Sequence, residues 1–122
     1  MIRRKNEQRT FSKAEGVNFM VIAEPNEIYD AGRLYAKITV DPGVSITPHR
    51  HINEMESFYI AKGTCKVTDN DTEYTLHEGD TLTTLDGEYH SVKNETNEPI
   101  ELIALIISTK QGVPGSSAAL CS

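Results

Sequence analysis

Apolar positions in this chain recur at every second residue, in short runs broken by turn residues. Residues 33–40 show it most cleanly. Leu34, Ala36, Ile38 and Val40 share one face, and Arg33, Tyr35, Lys37 and Thr39 share the other. Side chains alternate along a strand, so this spacing predicts a strand with one buried face. Asp41-Pro42-Gly43 ends it, since proline lacks a donor and glycine admits positive φ. Further strands are predicted over 56–61, 64–68, 73–76, 81–85, 90–93 and 100–108, with an earlier one over 17–23. Turn residues punctuate them about every 8–12 residues, with no long helical period between, which predicts an all-β sandwich or barrel. Closure of such a sheet removes its exposed edges. The predicted core is Leu34, Ala36, Ile38, Phe58, Ile60, Val67, Leu82, Leu102, Ala104 and Ile106.

Three segments follow from this pattern. Residues 1–16 are polar and read as an N-terminal arm or strand, suited to packing on a partner subunit. Residues 17–110 form the barrel. Residues 111–122, rich in small residues, glycine and proline, are expected to be a disordered tail.

The chain of 122 residues is long enough for one core. Its net charge of −6 repels a phosphate backbone and argues against a nucleic-acid partner. The longest apolar run, 102–107, falls far short of the roughly 20 residues that span a bilayer. The N-terminus has no apolar segment of secretory type, so no membrane association and a cytoplasmic location are expected. Cys65 and Cys121 form no C-x-x-C pair, and Cys65 reads as a buried filler in a strand.

The stretch PHRHINEMESFYIAKG, from Pro48 to Gly63, carries candidate chemistry. On a strand, His49 and His51 project to the same side and can share one ion. Glu56 has the parity of Phe58 and Ile60, so a core-facing strand turns its carboxylate inward, where it needs a partner. A half-exposed histidine pair on a loop is the competing reading. His90, on a separate short strand with Val92 on its face, adds a third imidazole. Three histidines and a carboxylate form a mixed N/O set suited to Fe, Mn, Ni, Cu or Zn. Glu54 is the alternative carboxylate, placed in the loop before the strand. Arg50 and Tyr89 should face outward, Arg50 as a potential rim contact, and His77 reads as a solvated turn residue. Asp80, Thr81, Thr83 and Thr84 read as ordinary strand polar residues. No G-x-S-x-G elbow or Walker A motif is present.

Two motifs in this chain resemble those of the cupin superfamily. The first is glycine, five residues, H-x-H, three or four residues, glutamate, six residues, glycine. Here it reads Gly43, His49-Arg50-His51, Glu56 and Gly63, with every spacing met. The second is glycine, five residues, P-x-G, two residues, histidine, three residues, asparagine. Here it reads Gly79, Leu85-Asp86-Gly87, His90 and Asn94, with Leu85 in place of the proline. The resemblance implies a double-stranded β-helix jelly-roll barrel of antiparallel strands. It also implies one divalent transition metal per chain on His49, His51, Glu56 and His90, a small-molecule substrate or ligand, and a homodimer that exchanges N-terminal strands. The implied activity is that of a metal-dependent enzyme on a small polar organic molecule, of dioxygenase, decarboxylase or isomerase type. A non-catalytic binding or sensing barrel is the alternative. A metal-free epimerase is a third reading, which the complete ligand set disfavours.

Overall fold

The computed structural model describes residues 1–110; the predicted tail lies outside the described residues. Ten antiparallel strands follow one another: β1 (Thr10–Ala14), β2 (Val17–Val21), β3 (Leu34–Val40), β4 (Ser45–Arg50), β5 (Glu54–Lys62), β6 (Cys65–Asp69), β7 (Thr72–Leu76), β8 (Thr81–Thr84), β9 (Tyr89–Lys93) and β10 (Ile100–Ser108). Short 3₁₀ turns occupy Lys5–Glu7 and Pro25–Ile28. No helix among the described residues is long and apolar enough to cross a membrane.

Strands β3 to β10 pair from the outside inward: β3 with β10, β4 with β9, β5 with β8 and β6 with β7. The chain is thus one long antiparallel hairpin rolled up on itself, which is the jelly-roll topology. Rolling produces two sheets. One has the order β1-β2-β3-β10-β5-β8 and the other β4-β9-β6-β7.

The inward faces are those set by the period-two pattern. Ala36, Ile38 and Val40 of β3 meet Phe58 and Ile60 of β5 and Leu102 and Ala104 of β10 in one cluster, joined from the second sheet by Cys65, Val67 and Val92. Burial holds the Cys65 thiol up at about 11, so it remains a neutral apolar filler at neutral pH. Leu34, placed in the core from its parity, is only half-buried, because it lines a cavity described below.

Two strands escaped the pattern for physical reasons. Strand β1 lies at a sheet edge and is exposed at four of its five positions, so it carries no alternation. It pairs with β2 of its own chain, Thr10 opposite Met20 and Phe11 opposite Phe19, and the Phe11 ring stacks on Phe19 at 4.8 Å. Strand β4 contains Pro48, and its ladder with β9 is irregular between Ile46 and His49, as a missing N–H requires.

Candidate metal centre

The four candidate ligands come from both sheets and converge between them. His49 sits in β4 with its Cα opposite that of His90 in β9. Glu56 stands in β5 between Thr84 of β8 and Ile106 of β10. His51 lies one residue past the end of β4, so the two histidines of the first motif do not share one regular strand as expected. The chain there is pinned to the turn before β9. Gly87 donates its N–H to the His51 carbonyl at 2.9 Å, and Asn53 donates its N–H to Asp86 Oδ1 at 2.6 Å. Asn53 adopts left-handed backbone, with φ 62°, which asparagine tolerates better than other side chains with a β-carbon. The chain thereby reverses between His51 and β5.

All three imidazoles turn Nε2 to a common point. His51 Nε2 is 3.0 Å from Glu56 Oε1, His90 Nε2 is 3.1 Å from the same oxygen, and His90 Nε2 is 2.9 Å from His49 Nε2. One donor atom from each of the four residues falls within 4.8 Å of all the others, so the cluster could hold a metal ion. Metal–nitrogen and metal–oxygen bonds of about 2.0–2.2 Å place neighbouring ligands of an octahedral ion about 3 Å apart. The three short separations match that spacing, and the N/O donor set suits a divalent transition metal.

Each outer ring nitrogen is held by a different group. His49 Nδ1 donates to the Thr47 carbonyl at 2.8 Å. His90 Nδ1 is 2.8 Å from Thr84 Oγ1, and its ring stacks on Phe58 at 5.3 Å between centroids. His51 Nδ1 is 3.1 Å from Arg33 Nη2. Burial, aided by the charges of His90 and His51, outweighs the Thr47 hydrogen bond and lowers the pKa of His49, favouring the neutral imidazole that binds metals. Glu56 is 4% exposed and His90 is fully buried, so the carboxylate has exchanged water for imidazole partners.

Sequence reasoning missed four supports of the site. Thr84, read as an ordinary strand polar residue, is buried and orients His90; its parity with Leu82 was the available signal. Thr47 acts through its backbone and has no side-chain signature. Arg33 and Glu54 meet at His51, 21 residues apart in the chain. Glu54 is the first residue of β5, paired opposite Ser108, and not a loop residue. Arg50 stacks over Tyr89, with its guanidinium carbon 5.3 Å from the ring centroid and both residues on the outer side of the ligand pairs. His77 is exposed beside its turn.

A cavity of about 900 Å³ adjoins the cluster. His49, His51 and Glu56 form part of its wall, with Leu34, Ile38, Phe58 and Ile106 among its apolar residues and Ser12, Ser45 and Thr47 as its hydroxyl-bearing part. Lys13 and Arg33 are its cationic side chains.

Comparison with known proteins agrees with this geometry. The chain is 35% identical over 80 residues to an oxalate-binding protein of Thermotoga maritima, an alignment covering 66% of each chain. A crystal structure of a predicted oxalate decarboxylase from Thermotoga maritima superimposes with a TM-score of 0.79 and 30% identity, over 88% of this chain and 99% of that one. A sugar phosphate isomerase from Silicibacter pomeroyi, itself from a cupin superfamily, superimposes with a TM-score of 0.75 over 89% of this chain and 76% of that one. At 13% identity the latter likeness concerns the fold alone. The family model for the cupin domain matches residues 36–106, from within β3 to within β10, a span that encloses all four clustered residues, and the chain belongs to that family.

Proposed function

We propose that this protein binds one divalent transition metal on His49, His51, Glu56 and His90 and uses it to take up a small anionic, oxygen-bearing molecule, a carboxylate of the oxalate class. The observation that carries the reading is the convergence of three Nε2 atoms and one carboxylate oxygen beside a cavity. A metal held there would supply Lewis acidity and coordination positions for ligand oxygens. The chain's own residues do the rest. Thr47 and Thr84 hold the rings of His49 and His90 from behind, and the Arg33–Glu54 pair stands behind His51. The apolar part of the wall gives a bound ligand a low-dielectric side, and Lys13 offers a positive charge with no carboxylate partner among the described residues. The names of the Thermotoga maritima relatives point to the same ligand class.

Catalysis of dioxygenase, decarboxylase or isomerase type is the enzymatic form of this reading. Binding without turnover is favoured by one observation. Among the described residues lining the cavity, Glu56 is the sole carboxylate, and it belongs to the donor set. No second carboxyl group stands beside it among the described residues of that wall.

The test is metal content by plasma mass spectrometry on tag-free protein, with the His49→Ala/His90→Ala double variant as control, followed by calorimetry with oxalate. One metal per chain, lost in the double variant, and oxalate binding that needs the metal are expected. Equal metal in both proteins would refute the site. Release of carbon dioxide from oxalate by the loaded protein would decide for turnover.

A further inference from the structure

We propose that Glu54 is the positioning carboxylate of His51, held in place by Arg33, and that it sets how tightly the centre holds its metal. The inference rests on the metal reading above. Arg33 and Glu54 meet at a single atom, His51 Nδ1. Arg33 Nη2 stands 3.1 Å from it and Glu54 Oε1 stands 3.5 Å from it. The two are locked to each other by Arg33 Nε donating to Glu54 Oε2 at 2.7 Å. A guanidinium can only donate and a carboxylate can only accept, so one ring nitrogen has a donor and an acceptor side by side.

That pairing matters because a neutral imidazole carries one hydrogen, on either nitrogen. With Nδ1 accepting from Arg33, the hydrogen sits on Nε2 and donates to Glu56 Oε1 at 3.0 Å. In that tautomer Nε2 has no lone pair to give. With Nε2 ligating, the hydrogen sits on Nδ1 and needs an acceptor, which Arg33 cannot be. Glu54 Oε1 is that acceptor, and a small turn of the ring or carboxylate closes 3.5 Å to hydrogen-bond length. The outer partners of the other two histidines serve a ligating Nε2 as they stand, since the Thr47 carbonyl accepts from His49 and the Thr84 hydroxyl can accept from His90, each at 2.8 Å, so His51 is the ligand that must change partner. Glu54 is not itself in the donor set: its carboxylate stands behind His51, on the side of the ring away from Glu56.

Outer partners of metal-bound histidine typically change metal affinity about 10–100-fold when removed. Zinc affinity of the full chain, read by competition with a chromophoric chelator, tests this in wild type, Glu54→Ala, Glu54→Gln and Arg33→Lys. Glu54→Ala is expected to lose affinity by about 10–100-fold. Glu54→Gln keeps one acceptor oxygen for His51 but sets its amide NH2 against Arg33 Nε, and should recover only part of that loss. Arg33→Lys keeps the charge but not the planar fork, and should fall between. The visible spectrum of the Co(II) form should shift in Glu54→Ala and return toward wild type in Glu54→Gln. Wild type with one zinc per chain and Glu54→Ala within twofold of it would overturn this role and leave the metal centre standing. Wild type that takes up no metal would overturn both readings.

Discussion

Replacing Asn94 with alanine should loosen both sheets at once without touching a candidate ligand. Asn94 follows β9 and is 1% exposed. Its Nδ2 donates to the Val40 carbonyl at 2.9 Å and to the Glu98 carbonyl at 2.8 Å. Its Oδ1 accepts from Thr96 N at 3.0 Å and from Thr96 Oγ1 at 2.7 Å. Val40 ends β3 in the larger sheet, so the amide ties that sheet to the strand carrying His90. The backbone of Asn94 also bonds Gly43 and Val44 ahead of β4, so the last residue of the second motif meets the first residue of the first. Alanine keeps these backbone bonds and loses four side-chain bonds. Thr96, partly exposed, can turn its donors to water. The buried Val40 carbonyl loses its side-chain donor, whereas the Glu98 carbonyl keeps Thr96 Oγ1; at about 1 kcal/mol net for each of the two bonds from Nδ2 plus about 1 kcal/mol for the Val40 carbonyl left unpaired, the total comes to about 3 kcal/mol. At roughly 4 °C per kcal/mol, that is a fall in Tm of about 12 °C. Asn94→Asp sets a carboxylate oxygen against the same two carbonyls and should be at least as destabilising. Urea unfolding of the three proteins at neutral pH measures the differences. A loss below about 1 kcal/mol for Asn94→Ala, within the range of a single net hydrogen bond, would refute the clamp. So would an aspartate variant more stable than the alanine one.

Two further outcomes follow from the structure. A β-carbon on Gly32 would stand 1.8 Å from the Ile106 carbonyl oxygen of β10, whereas one on Gly87 meets nothing within 4 Å; Gly32→Ala should therefore cost about 3 kcal/mol or more by overpacking, and Gly87→Ala, at φ +79°, only about 1–2 kcal/mol. Denaturant unfolding of the pair checks the ranking, and equal losses would contradict it. The Arg3 guanidinium, with help from the Glu24 backbone, holds the Glu27 carboxyl at about 2 instead of its ordinary 4.5. A carboxyl depressed on folding stabilises fully above its unfolded value and loses that contribution as pH falls through the folded one. The stability advantage of wild type over Arg3→Met should hold at neutral pH and fade between about 4.5 and 2, as unfolding measured at stepped pH would show. An advantage undiminished at pH 2 would exclude this pairing as its source.

Most of the strands were legible because burial on one side leaves a period of two. Strand β10 and the body of β3 and β5 show it directly, with Ile100, Leu102, Ala104 and Ile106 all inward. Strand β1 was not legible, because an edge strand with both faces near water has no reason to alternate. Strand β4 was hidden by Pro48 and by the ladder irregularity that the proline brings. The four residues of the centre were legible as a set, since their types and spacings are local properties of two short stretches. Sequence alone thus determined the strand periodicity, the two motifs and the identity of the clustered residues. The rolled hairpin decided what surrounds them. It places Thr84 behind His90, and Arg33 and Glu54 behind His51. Thr84 and His90 are only six residues apart but stand in different sheets, and Arg33 meets His51 across 18 residues, so neither contact exists until the two sheets close on each other.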